Sequence, residues 1–132
     1  MINKAQKFGI ILIVSFLLFI CLDLLWFKLI SYKYIYHSQF KSINNGEFSL
    51  RTWSGLIVWF LMAITVSVYL INCDLSHLNA FFYGMLIGFL IYGIYNFTNY
   101  ATIKKYSIKT TLFDTLWGTI LFGIVSLICS YI

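Results

Sequence analysis

The chain has 132 residues, of which 61% are hydrophobic, 20% aromatic and only 10% charged, with no proline and a mean hydropathy of +0.90. A soluble domain carries about 25% charged residues. This composition therefore excludes a soluble globular domain, and with it a disordered chain, a coiled coil and a disulfide-stapled secreted module. The class left is all-α: a four-helix transmembrane bundle in one integral membrane domain over residues 1–132, within which the net charge of +5 has to be understood.

Four apolar runs, predicted as spans 8–30, 53–72, 78–100 and 111–131, follow one another along the chain. Each is about 20 residues long, enough for a helix to cross a hydrocarbon layer of about 30 Å. Transmembrane strands would be about 9 to 11 residues with strict alternation, which these runs lack. The first run contains Asp23 and Lys28, the second and third carry no charge, and the fourth carries only Asp114. Lys4 and Lys7 before the first run are compatible with a signal peptide. The run is too long for one, however, and no small-residue cleavage site follows it, so it is expected to stay as a span.

Four spans put both termini on one side. Lys28, Lys33, Lys41, Arg51, Lys104, Lys105 and Lys109 then face the other side, against only Lys4 and Lys7 on the terminal side. Basic residues in short loops favour the cytoplasm, which predicts both termini on the non-cytoplasmic face. The positive charge reads as topology and as contact with membrane lipids. Nucleic-acid binding is not expected, for no folded module offers a basic face. Cys21 and Cys129 lie within spans as small apolar fillers. Cys73 and Cys129 fall near the same surface, and a disulfide between them is left open.

Segment 31–52 is the one connection with room for structure of its own. Tyr32, Tyr36, Phe40 and Ile43 recur at helical spacing beside a stripe of Lys33, His37 and Lys41. That pattern predicts an amphipathic helix in the membrane interface between spans 1 and 2, ended by a turn at Asn44-Asn45-Gly46. Ser49 or Thr52 is expected to cap the second span.

The polar residues share a depth. Asp23 falls about 10 Å inside the cytoplasmic end of span 1. Asn96, Thr98 and Asn99 fall in the last turns of span 3, and Asp114 about one turn into span 4, while span 2 contributes nothing comparable. Asp-x-x-Trp occurs twice, as Asp23 to Trp26 and Asp114 to Trp117, and each pair shares a helix face. An aspartate in hydrocarbon costs about 2.5–3.5 kcal/mol near the centre, so it faces inward and finds donors. These residues predict a polar intramembrane pocket near the cytoplasmic leaflet, built from Asp23, Asn96, Thr98, Asn99 and Asp114 and walled by Trp26 and Trp117. Gly84, Gly88 and, less regularly, Gly93 on span 3, and Thr119, Gly123, Ser126 and Ser130 on span 4, are expected to form small-residue faces that pack these two helices closely.

Leu22-Asp23-Leu24-Leu25-Trp26, Tyr95-Asn96-Phe97-Thr98-Asn99-Tyr100-Ala101-Thr102 and Asp114-Thr115-Leu116-Trp117-Gly118 together resemble the predicted membrane proteins grouped as domain of unknown function 2177. The resemblance covers essentially the whole chain and implies the same four spans and the same order of motifs. One position departs: Asn96 stands where members of the family commonly carry aspartate.

The pocket suits three classes of function. The first is binding or moving a small molecule, ion or lipid headgroup. The second is an enzyme acting on a lipid or other apolar substrate with Asp23 and Asp114 as acid and base. The third is an accessory or assembly protein with a homo-oligomeric or membrane-protein partner. No nucleophile elbow, phosphate loop or HExxH site is present. Two carboxylates with neutral oxygens would make only a weak site for a hard cation, so no metal is expected. The residues name no cofactor.

Overall fold

A computed structural model describes residues 3–43 and 51–132, with no strand among the described residues. In chain order the elements are α1 (Lys4–Trp26), a π-helical segment (Phe27–Tyr36), α2 (His37–Ile43), α3 (Thr52–Asn72), α4 (His77–Thr102) and α5 (Ile108–Cys129). The first three run on without a break. Among the described residues four helices are thus long and apolar enough to span a membrane: Lys4–Ile43, Thr52–Asn72, His77–Thr102 and Ile108–Cys129. Side-chain caps define three starts. The Asn3 side chain accepts from the Gln6 backbone N–H and the Gln6 side chain from that of Asn3, while Ser76 and Ser107 cap α4 and α5. Arg51 occupies the cap position of α3 without a side-chain bond, and Thr52 is its first helical residue. Asn44-Asn45-Gly46 and Ser49 lie outside the described residues.

The first helix corrects one expectation. Segment 31–43 is helical, as its spacing predicts, but it is not set apart from span 1: the helix runs on without a break to Ile43. With no proline anywhere and no glycine between Gly9 and Gly46, nothing in the sequence stops the helix. At 1.5 Å per residue the 40-residue helix is about 60 Å long, roughly twice the hydrocarbon thickness.

The π segment explains how so long a helix keeps one face on the bundle. Ile11, Ser15 and Phe19 are buried, and so are Ser31, Ile35 and Gln39, with Asp23 and Phe27 filling the same every-fourth-residue row between them. In an α-helix such a row drifts by about 40° per step. The wider i→i+5 turns of a π segment drift the other way. Without them, residues 31–39 would have rotated off the bundle.

Gln39 shows what that rephasing achieves. Its Nε2 donates to the Lys105 carbonyl at 2.9 Å, and its Oε1 accepts the Ser107 N–H at 2.8 Å and the Thr110 hydroxyl at 3.1 Å. One side chain thus fastens the end of the first helix to the α4–α5 connection. Gln39→Ala is expected to remove two part-buried bonds and one buried bond, at about 1–3 kcal/mol for a buried group left unpaired. Thermal unfolding in detergent checks this, and an unchanged midpoint would contradict it.

The core lies between α1, α3 and α5, where Ile11, Phe19, Met62, Val66, Phe122 and Val125 pack together. Phe19 meets Phe122 with ring centroids 4.8 Å apart, and Phe16 meets Phe60 edge-on at 6.2 Å. The Tyr69 hydroxyl donates to Ser126 Oγ, tying α3 to α5. Helices α4 and α5 approach most closely. Gly84 faces Ser126 and the Phe122 carbonyl, Gly88 faces the Gly118 carbonyl, and Gly118 lies under the Tyr92 ring. The small-residue faces expected on spans 3 and 4 do meet, with Gly118 joining Gly123 and Ser126, while Gly93 sits in looser contact. Cys21, Cys73 and Cys129 are all free thiols, so the disulfide left open above is not formed.

Candidate functional site

Two aspartates anchor two linked clusters at the end of the bundle that carries the 44–50 and 103–107 connections. Asp23, from α1, accepts the Trp117 indole N–H on Oδ1 and the Trp59 indole N–H on Oδ2, both at 2.7 Å. It thereby joins α1 to α3 and α5. Trp26, one turn beyond Asp23, stacks flat on Trp117 with centroids 4.4 Å apart and planes 2° from parallel. The two Asp-x-x-Trp motifs therefore interlock: the tryptophan of the second binds the aspartate of the first and stacks on its tryptophan.

Asp114 is held differently. The Tyr36 hydroxyl donates to its Oδ1, and Asn96 Nδ2 donates to its Oδ2 at 2.7 Å. Asn96 is fully buried. Its amide also donates to the Tyr92 carbonyl at 2.9 Å, and its Oδ1 accepts the Tyr106 hydroxyl at 2.7 Å. Burial pushes the Tyr106 phenol, in the 103–107 connection, up to about 12, with Tyr95 and Asp114 adding to the shift and Asn99 opposing it. All four side chains that bond the two carboxylates are neutral donors. No basic side chain among the described residues acts on either carboxylate.

Between the clusters lies a cavity of about 610 Å³. Asp23, Trp26, Asp114 and Trp117 line it, together with Ser31, Tyr36, Trp59 and Tyr92. Leu24 of α1 and Leu56 of α3 line it as well, and both are exposed on the outer surface of the bundle, so the cavity opens sideways between these two helices. Ser31 is fully buried, and its hydroxyl has no hydrogen-bond partner among the described residues.

Of the seven residues singled out from the sequence, four line the cavity: Asp23, Trp26, Asp114 and Trp117. Asn96 stands behind the wall, bonded to Asp114. Thr98 is exposed and does not line the cavity, and Asn99 is half-buried, facing Tyr106 instead of Asp114. Their positions on the helix account for this: Thr98 follows Asn96 by two residues and so points to the opposite side of α4.

Sequence reasoning passed over Tyr36, Ser31, Tyr92 and Trp59. Tyr36 reads as part of an interfacial aromatic stripe until the π segment turns it onto Asp114. Trp59 overturns the expectation that span 2 brings nothing to this level, since its indole N–H is half of the Asp23 site. The available signal was spacing: Thr52, Gly55, Leu56 and Trp59 recur at three and four residues and all line the cavity.

Among the described residues no three His, Cys, Asp or Glu side chains gather closely enough to hold a metal ion. No curated protein and no solved structure matches the chain. A family model does, over residues 8–131, and by that match the chain belongs to DUF2177, a family of predicted membrane proteins.

Proposed function

We propose that this multi-pass membrane protein binds a small ligand in the cavity between its first helix and the rest of the bundle. The observation that carries the reading is a cavity of about 610 Å³ with both intramembrane aspartates on its wall. Two buried carboxylates that served only as struts would need no open volume beside them, and side chains that hold helices together are ordinarily uncharged. The cavity lies in the half of the bundle facing the lysine-rich connections. Both termini are accordingly on the non-cytoplasmic side, and the ligand is met from the cytoplasmic leaflet. Membrane lipids are the surrounding partners.

The test uses the tryptophans of the cavity wall as reporters. The purified protein in lipid nanodiscs is titrated with a neutral, a cationic and an anionic aromatic probe: propylbenzene, 2-phenylethylammonium and phenylacetate. At least one is expected to change the tryptophan emission saturably. Gly55→Phe should abolish that change without unfolding the protein, because Gly55 lines the cavity and its nearest neighbour there is the Trp59 ring, 3.8 Å from an added Cβ. No saturable response to any probe, or one that Gly55→Phe leaves unchanged, rejects the reading.

A further inference from the structure

The cavity's chemistry selects among ligands more sharply than its volume does. Taking the cavity to be a binding site, we infer that its ligand is a primary ammonium carried on an apolar body, either a free lipophilic amine or the ethanolamine headgroup of a lipid.

Charge comes first. Asp23 and Asp114 both line the cavity, and all four of their recorded side-chain partners are neutral: two indoles, a phenol and an amide. An anionic ligand would face two carboxylates with no basic side chain to offset them. A cation would supply the counter-charge that the described residues do not.

Hydrogen-bonding capacity comes second. A carboxylate offers about four acceptor sites, and each aspartate uses two on the bonds described, one on each oxygen. Each keeps room for a further donor.

The third observation is independent of the acids. Ser31 is fully buried, lines the same cavity, and has a hydroxyl with no hydrogen-bond partner among the described residues. A buried polar group left unpaired costs about 1–3 kcal/mol, and a serine in a helix usually avoids this by bonding to a carbonyl of its own preceding turn. Here that hydroxyl is left to accept a ligand N–H. An ammonium has three such hydrogens to give to a carboxylate or to this hydroxyl; a quaternary ammonium has none. The remaining walls are largely aromatic, with Trp26, Trp59, Tyr92 and Trp117 offering faces that attract cations and pack on hydrocarbon. The sideways opening between Leu24 and Leu56 suits a ligand that partitions into the membrane.

The experiment compares three probes, the first two nearly isosteric, in phosphatidylglycerol nanodiscs, with Gly55→Phe as the blank for membrane partitioning. These are 2-phenylethylammonium, its neutral analogue propylbenzene, and its N-trimethylated quaternary form. The primary ammonium should bind roughly ten-fold or more tightly than propylbenzene, a difference of about 1.4 kcal/mol or more. Combined Asp23→Asn and Asp114→Asn replacement should erase that preference while propylbenzene binding persists. Ser31→Ala should weaken the primary ammonium several-fold and leave the quaternary form unchanged.

Replacing part of the phosphatidylglycerol by phosphatidylethanolamine distinguishes the sources. Competition with 2-phenylethylammonium identifies the headgroup, and its absence identifies a free amine. If propylbenzene or phenylacetate binds as tightly as the ammonium and is blocked by Gly55→Phe, the cavity is a binding site but the ammonium assignment is wrong. If no probe binds, the assignment falls together with the site. An equal effect of Ser31→Ala on the primary and quaternary forms removes the N–H requirement and overturns the primary-ammonium assignment.

Discussion

Gly88→Ala is expected to lower the stability of the protein in detergent by about 1–3 kcal/mol, the range for forcing extra atoms into a packed interior, whereas Gly93→Ala is expected to be nearly silent. The two substitutions add the same methyl group to the same helix a little over one turn apart. At Gly88 the new carbon runs into the carbonyl group of Gly118 and into Phe122 Cβ. The carbonyl is backbone, so α4 and α5 must move apart. At Gly93 the nearest atom is Thr115 Cγ2 at 3.8 Å, an ordinary contact. Reversible unfolding of both variants in mixed micelles reads the difference, and equal effects would mean that close backbone approach does not hold this helix pair. Gly118→Ala is crowded too, because its added carbon overlaps the base of the Tyr92 ring, so the ring or the helix must shift. Tyr92 lines the cavity, so crowding at Gly118 bears on the site as well as on the packing.

The contrast between these glycines shows how far the sequence carries. Spacing alone put Gly84 and Gly88 on one face, with Gly93 fitting it less regularly, and paired that face with the small residues of the last helix. It could not tell that Gly88 rests on a backbone carbonyl while Gly93 has room, because that depends on the depth of contact between two cylinders. The four spans were legible for a plain reason: about 20 apolar residues without proline leave few alternatives to a membrane helix. The first helix was not legible to its end. A run of Tyr, Lys and Ser reads as interfacial, and hydropathy does not reveal that the helix continues through it.

The candidate site divides along the same line. Asp23 and Asp114 announce themselves, since charge within a span is rare. Their partners do not. Trp59 and Tyr36 belong to residue types that the membrane uses everywhere as filler and belt, and only the meeting of three helices makes them donors. Ser31 was hidden further, because its significance is that its hydroxyl lacks a hydrogen-bond partner among the described residues. A missing bond leaves no mark on a sequence.

Asp114→Ala is expected to destabilise the protein by about 2 kcal/mol, and Asp114→Asn by less than about 1 kcal/mol. Two effects oppose one another in the alanine variant. Removing a carboxylate relieves its desolvation cost, which reaches about 2.5–3.5 kcal/mol only near the bilayer centre and falls toward the edge. Asp114 lies near the start of α5, so the relief is smaller there. Against it stand the Tyr36 hydroxyl and the Asn96 amide, each left without its carboxylate acceptor, at about 1–3 kcal/mol apiece. The loss outweighs the relief. Asparagine keeps the volume and one acceptor oxygen for Asn96, and its amide can donate to the Tyr36 hydroxyl oxygen, so it restores most of the network. A double-mutant cycle supplies the sharper reading: in the Asp114→Ala background, Tyr36→Phe should cost little, giving a coupling of about 0.5–3 kcal/mol. Additive effects would mean that the bond from Tyr36 to Asp114 does not bind the rephased end of the first helix to α5.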